Sequence, residues 1–131
     1  MNRSFKVYFD DTDAAGVMFF GNIYSQAHKS IEDYIANELD VYDLWFKSSE
    51  YIVPIRHSEC EHLAPFIPDH EYTSIVEIDK VGESSVVFKT VFFDKDKSIC
   101  AKVRTVHVFV SKKGKSKTNV PKNILDTIKI K

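Results

Sequence analysis

"DDTDAAGVMFFGNIY", residues 10–24, places three aspartates within four positions and follows them with a small-residue turn, a four-residue apolar run and a Gly-Asn pair. It decides the fold because the periodicity of the chain changes across it. Upstream, "FKVYF" (5–9) reads as a short strand. Downstream, from Asn22, Ile23, Ala27, Ile31, Tyr34, Ile35 and Leu39 recur three or four apart, with Lys29, Glu32, Asp33 and Glu38 between them. That spacing predicts an amphipathic helix of roughly four to five turns with one apolar face.

Beyond the helix, "DVYDLWFKSSEY" (40–51) is mixed and reads as a second short helix and a loop. From Tyr51 to about Val110 the chain reads as strands. "IVPIRHSECEHLAPF" (52–66) is extended, broken by Pro54 and stopped by Pro65. "EYTSIVEIDKV" (71–81), "SVVFKTVFFD" (85–94) and "SICAKVRTVHVFV" (98–110) follow, linked by "VGES" and the polar "DKDKS". Strands joined by short links predict a largely antiparallel sheet, and a single long helix must bury its apolar face on it. The expected class is α+β, in one domain spanning residues 1–131. One helix on one face leaves a free sheet edge, which dimerisation by edge pairing would satisfy.

Bulk properties exclude several classes. At 131 residues, 44% hydrophobic and 28% charged, the chain is an ordinary globular protein. A net charge of -1 offers no overall field for nucleic acid or an anionic membrane. No apolar run approaches the ~20 residues of a membrane span, and "MNRSFKVYFD" has no signal-peptide core, so a cytoplasmic protein is expected. Cys60 and Cys100 are expected to be free thiols. No Gly-x-Ser-x-Gly elbow, Cys-His pair or phosphate-binding glycine loop is present.

The opening stretch carries chemistry of its own. A loop ending at a helix start leaves several amides near residues 19–23 without intrahelical partners, and with the helix dipole they favour negative charge. Acyl transfer needs donors of this kind for the oxyanion of its tetrahedral intermediate. A carboxylate a few residues upstream supplies a nucleophile or a general base toward water.

The same residues resemble the signature of the hotdog-fold acyl-CoA thioesterases of the 4-hydroxybenzoyl-CoA thioesterase type. That signature, D-x-D-x-x-G-(apolar)-x-(aromatic), stands between the first strand and the central helix. "PIRHSECEHLAP" is similar to the family's long strand ending in Ala-Pro, "VGESSVVF" to its next turn and strand, and "AKVRTVHVFV" to its last core strand. The resemblance covers most of residues 5–122 in the same order, and implies a hotdog fold, a curved antiparallel sheet wrapped around the long helix. It implies Asp13 as the catalytic carboxylate, the backbone amide of Phe20 as oxyanion donor, and Gly16 as the turn that presents the thioester to both. It implies a homodimer or homotetramer that acts on an acyl-CoA and needs no metal or redox cofactor. The subgroup that hydrolyses 1,4-dihydroxy-2-naphthoyl-CoA, on the route to phylloquinone or menaquinone, looks most similar, through D-T-D-x-A-G-V and the strand at Val53–Ser58. Alternatives are 4-hydroxybenzoyl-CoA, a short acyl-CoA, or a hotdog protein that binds acyl-CoA without turnover.

The remaining candidates are weighed against plainer roles. His57 is read as an active-site wall against the acyl group, with a hydrogen-bonded structural histidine as the alternative. Phe19, Phe20, Tyr24, Trp45 and Phe46 would line a pocket for a planar acyl group or serve as ordinary core. "SKKGKSK" (111–117) is a solvated charge cluster or, through Lys112 and Lys113, a contact for the phosphates of CoA, with Lys89, Lys102 and Arg104 as lesser candidates. His107 reads as a sheet residue. "HSECEH" (57–62) suggests a metal, but on a strand His57, Glu59 and Glu61 face one side and Ser58, Cys60 and His62 the other, so no zinc site is expected.

Overall fold

The structure, a computed structural model, describes residues 2–130. Its elements are β1 (Asn2–Lys6), a 3-10 turn (Phe9–Asp11), α1 (Asn22–Asp33) running into a π-helical turn (Tyr34–Glu38), α2 (Tyr42–Phe46), β2 (Tyr51–Ile52), β3 (Ile55–His62), β4 (Glu71–Val81), β5 (Ser85–Phe93), β6 (Ile99–Val108), β7 (Val110–Ser111) and α3 (Lys122–Ile130). Five strands form one sheet in the order β1-β4-β5-β6-β3, with every pairing antiparallel. β2 and β7 make a separate two-stranded ribbon.

The apolar stripe read from the sequence is the face buried by α1 and the π-helical turn that continues it. Ile23, Ala27, Ile31, Tyr34, Ile35 and Leu39 are all buried. They meet the inner face of the sheet in two clusters. At the N-terminal end of α1, Ile23 and Ala27 pack with Phe5, Phe66, Tyr72, Phe92 and Val103. At its C-terminal end, Ile31, Tyr34 and Ile35 pack with Trp45, Val76, Phe88 and Phe109. Each fully buried Ile or Phe contributes about 1.5–3 kcal/mol relative to exposure.

Polar pins set where the helix sits. Ser30 Oγ lies 2.7 Å from Ser74 Oγ of β4. Arg3 of β1 donates from Nη1 to Gln26 Oε1 at 2.9 Å and pairs through Nε with Asp33 at 3.5 Å. The helix therefore has its rotation and its height on the sheet fixed by two strands.

One expectation needed correction, and two features were not foreseen. The first strand occupies residues 2–6 rather than 5–9: Val7 amide and carbonyl bond to His70 and Asp69 across a loop, and Tyr8 and Phe9 leave the sheet exposed. The helix ends through a π turn, where Leu39 N–H reaches Tyr34 O. The C-terminal α3 was not anticipated; its Ile124, Leu125 and Ile128 close the cluster around Trp45 and Phe109. Trp45 is core, 2% exposed, and so is not a pocket aromatic.

His107 lies in that same cluster region, 2% exposed, with its ring 5.0 Å from that of Phe88 and Nε2 2.8 Å from Thr105 Oγ1. Burial first, and the nearby His28 second, push its pKa down to about 4. The unfolded chain therefore takes up this proton below the ordinary value of 6.5 while the folded chain does not. Stability is complete above that value and falls as pH drops toward about 4. At pH 5 the wild type is expected to have lost about 2 kcal/mol through this group, from ~1.4 kcal/mol per pH unit. Urea unfolding of wild type and His107→Gln at pH 7 and pH 5 checks it: the variant should lose clearly less, and an equal loss refutes the assignment.

Candidate active site

The Asp-rich stretch folds into a small clamp between strand and helix. Asp13 heads a turn in which Gly16 N–H bonds to Asp13 O at 3.0 Å and Asp13 N–H to Val17 O at 3.1 Å. Asp13 Oδ1 accepts Ala15 N–H at 2.8 Å, an Asx arrangement that holds the carboxylate in place. Thr12 and Met18 bridge across the turn, and Met18 N–H bonds to Phe66 O at 2.8 Å. Gly16 has φ +79°, a left-handed conformation that suits glycine. Asp13 is exposed.

The neighbouring aspartate does more than solvate the loop. Asp11 O accepts both Phe19 N–H at 2.9 Å and Asn22 Nδ2 at 3.1 Å, while Asp11 Oδ2 accepts Tyr8 N–H at 2.9 Å. Of the amides at the helix start, those of Phe19, Asn22, Ile23 and Tyr24 are taken by Asp11, Phe19, Phe20 and Gly21 carbonyls. Among the described residues, the amides of Phe20 and Gly21 donate to no protein acceptor. The broad group of free donors expected near residues 19–23 thus narrows to two, and Phe20 is one of them.

Beside them is a cleft of about 380 Å³, bounded by Val17, Met18 and Phe20 on one side and by residues 62–66 on the other. The Phe20 ring packs against Phe19 at 4.8 Å and edge-on against His62 at 6.3 Å. Asp13 does not line this cleft; it stands at the turn that leads into it. Tyr24 is partly buried against the cluster beneath.

Strand parity sorts the remaining candidates. Ser58, Cys60 and His62 pair with Thr105, Val103 and Ala101, which are buried on the helix side. His57, Glu59 and Glu61 pair with Val106, Arg104 and Lys102 on the opposite face. His57 therefore stands away from the helix, with Nε2 3.9 Å from Glu59 Oε1, and is no wall of this cleft. His62 takes that place. The sequence signal for it was available: it shares parity with Ser58 and Cys60 and directly precedes Leu-Ala-Pro.

The cations move away from the site as well. Arg104 lies on the outer face, held by Asp79 at 3.0 Å and Glu59 at 3.7 Å. Lys112 gives its ammonium to Ser48 O at 2.7 Å. Lys112 and Lys113 follow β7, by the Phe109 end of the core, whereas the cleft abuts the Ala101 end. Along β6 those ends are separated by about 26 Å at the usual strand rise. Within one chain, Arg104, Lys112 and Lys113 are not brought to Asp13 and Phe20.

Neither cysteine is primed as a nucleophile. Burial raises the Cys60 thiol pKa, with Glu61 adding to it, and burial likewise raises that of Cys100. Among the described residues no group of three His, Cys, Asp or Glu side chains could hold a metal ion, and no helix is long and apolar enough to cross a membrane.

Residues 7–128 match the Thioesterase-like superfamily. The chain belongs to that superfamily. Its enzyme class is thioester hydrolase. The 1,4-dihydroxy-2-naphthoyl-CoA hydrolase of Rippkaea orientalis is 26% identical over 122 residues, covering 91% of this chain and 88% of that one. The protein of the same name from Nostoc punctiforme is 29% identical over 123 residues, covering 91% and 80%. Among solved structures, a 1,4-dihydroxy-2-naphthoyl-CoA thioesterase from Synechocystis superposes with TM-score 0.84 at 18% identity, over 97% of this chain and 93% of that one. A gentisyl-coenzyme A thioesterase gives 0.84 at 19%, over 98% and 99%. These superpositions establish the hotdog fold of this superfamily member.

The Asp13 turn depends on the left-handed glycine at its end. Nothing lies within 4 Å of where a Gly16 side chain would project, so the penalty of substitution is conformational. Gly16→Ala should lower the unfolding free energy by about 1–2 kcal/mol, and Gly16→Asn by less. Equal urea midpoints for Gly16→Ala and wild type would refute this.

Proposed function

We propose that the chain is an acyl-CoA thioesterase that hydrolyses an aromatic acyl-CoA, with 1,4-dihydroxy-2-naphthoyl-CoA as the expected substrate and phylloquinone or menaquinone synthesis as the expected route. The observation that carries this reading is the pairing of an Asx-held carboxylate, Asp13, with uncommitted amides at Phe20 and Gly21 at the start of α1. The names and coverage of the cyanobacterial relatives support the choice of acyl group.

In the proposed reaction the thioester carbonyl oxygen lies on the Phe20 amide, where the helix dipole and free N–H stabilise negative charge as it develops. Asp13 either takes a proton from the attacking water or attacks the carbonyl itself. The new C–O bond forms, the C–S bond breaks, and CoA leaves as the thiolate and takes up a proton. Water supplies the oxygen and hydrogens of both products, so the step needs no metal or redox cofactor. Gly16 shapes the turn, and Phe19 and Tyr24 border the acyl group. Lys113, exposed and without an ion-pair partner among the described residues, stays a candidate for CoA phosphate only across an assembled interface.

A homodimer or homotetramer belongs to the same reading. Among the described residues β3 is the last strand of the sheet and pairs only with β6, and none of its residues is buried. Such an edge is open to the same strand of a second copy. The proposal places the assembled enzyme in the cytoplasm, with no role in binding nucleic acid or membrane.

Two measurements test the reading. Thiol release from a panel of acyl-CoAs should be fastest with hydroxylated aromatic acyl groups, and Asp13→Asn should lower kcat about 100-fold or more with unchanged circular dichroism. Full activity in the folded variant would rule Asp13 out. Sedimentation equilibrium should give at least twice the 15.1 kDa chain mass, whereas a monomer at micromolar concentration would remove the edge-pairing proposal.

A further inference from the structure

We propose that His62 selects the acyl group, by hydrogen bonding a hydroxyl or other polar substituent in the cleft beside Phe20. The inference rests on the thioesterase reading above and deepens it, since that reading leaves the chemistry of the acyl pocket unassigned.

The cleft is apolar apart from this one side chain. Around it stand Val17, Met18 and Phe20 on the loop and the Leu-Ala-Pro-Phe run that follows His62. Several of its backbone groups are committed elsewhere. Leu63 and Ala64 N–H groups both bond to Cys100 O, Met18 N–H bonds to Phe66 O, Val17 O accepts from Asp13, and Pro65 has no N–H. Of the cleft's amides, those of Val17, Phe20 and Phe66 donate to no protein acceptor among the described residues, and the proposed reaction reserves that of Phe20 for the thioester oxygen. The imidazole of His62 is therefore the side chain able to read polarity in a bound acyl group.

Its ring nitrogens are uncommitted among the described residues: the imidazole makes no protein hydrogen bond and no ion pair, in contrast to His57 with Glu59. A neutral imidazole carries one donor and one acceptor, so it pairs with a hydroxyl in either sense. Its ring is held edge-on to Phe20 at 6.3 Å, which ties its position to the residue whose amide faces the reaction. Its parity on β3 places it on the helix side of the sheet with Cys60. Small-molecule sites are commonly of this kind, mostly apolar with few polar groups that fix orientation. A site that satisfies a substrate hydroxyl discriminates against the analogue that lacks it.

The test compares kcat/KM for 4-hydroxybenzoyl-CoA with that for benzoyl-CoA, and for 1,4-dihydroxy-2-naphthoyl-CoA with that for 2-naphthoyl-CoA. Wild type, His62→Phe and His62→Gln are each assayed as the assembled enzyme. Wild type should prefer at least one hydroxylated ester by about tenfold or more, the value of one satisfied hydrogen bond. In His62→Phe the preference should fall below about threefold, and His62→Gln should restore part of it. The inference is overturned if wild type shows no preference, if His62→Phe keeps the wild-type ratio, or if both variants lose the two esters of a pair in equal proportion. Release of thiol with an unaltered ratio sinks His62 alone. Absence of thiol release from every ester by wild type sinks the thioesterase reading and this inference with it.

Discussion

The seating of α1 across the inner face of the sheet is the interaction on which the rest depends. Ile23, Ala27, Ile31 and Ile35 are each at most 1% exposed, and they span both core clusters. Hydrophobic burial alone would let the helix slide or rotate by a fraction of a turn. The Ser30–Ser74 hydroxyl contact and the grip of Arg3 on Gln26 and Asp33 remove that freedom. Desolvation lowers the Arg3 pKa and Asp33 opposes that shift, which fits a guanidinium partly withdrawn from water for a structural purpose. Once α1 is pinned, its first turn has a fixed place beside the end of β3.

That placement converts a loop into a site. The carbonyl of Asp11 accepts from Phe19 and from Asn22, so the chain enters the helix at a defined angle. The same bonds consume the donors on either side of Phe20 and Gly21, and leave those two amides unused. Selective satisfaction of neighbours, rather than the mere presence of a helix terminus, singles out the anion-favouring donors. The Asx bond within the 13–16 turn does the equivalent for the carboxylate, because it restricts the rotamers of Asp13 at little cost.

Features governed by local periodicity were legible in the sequence, and features governed by partners were not. The six stripe residues of α1 and the strands 71–81, 85–93 and 99–108 follow from spacing and from β-branched and aromatic content. "FKVYF" misled because an apolar pentapeptide gives no sign of where it leaves the sheet; Tyr8 and Phe9 are 59% and 86% exposed. α3 was hidden by the basic run before it, although Ile124, Leu125 and Ile128 carry helical spacing. Asp13, Gly16 and Phe20 stand out in the sequence because one contiguous stretch holds them, and the structure sets them on one turn and the helix entry that follows it. The intrachain partners of Arg104 and Lys112 were not legible, because charge is visible in a sequence and its neutralising partner is not. Alternation along β3 put His57 and His62 on opposite faces; what the sequence lacked was which face the helix covers.

The exposed apolar side chains supply the last step. Phe20 is 64% exposed, Leu63 50% and Ile55 41%, so large hydrophobics occur from the helix start to both ends of β3. Single exposed apolar residues need no explanation, but Ile55 and Leu63 flank an unpaired edge and Phe20 stands beside the cleft at its end. β3 also carries alternating charge on its outer face, with Glu59 and Glu61 opposite Arg104 and Lys102, and that charge keeps an open edge soluble. Its helix-facing side has no such protection, and that is the side holding His62 and the cleft. An edge with Glu59 and Glu61 on one face and Ser58, Cys60 and His62 on the other is suited to a specific partner. A second copy seated there would shelter Phe20 and narrow the cleft, and so strengthen the electrostatic contribution of the free amides by excluding water.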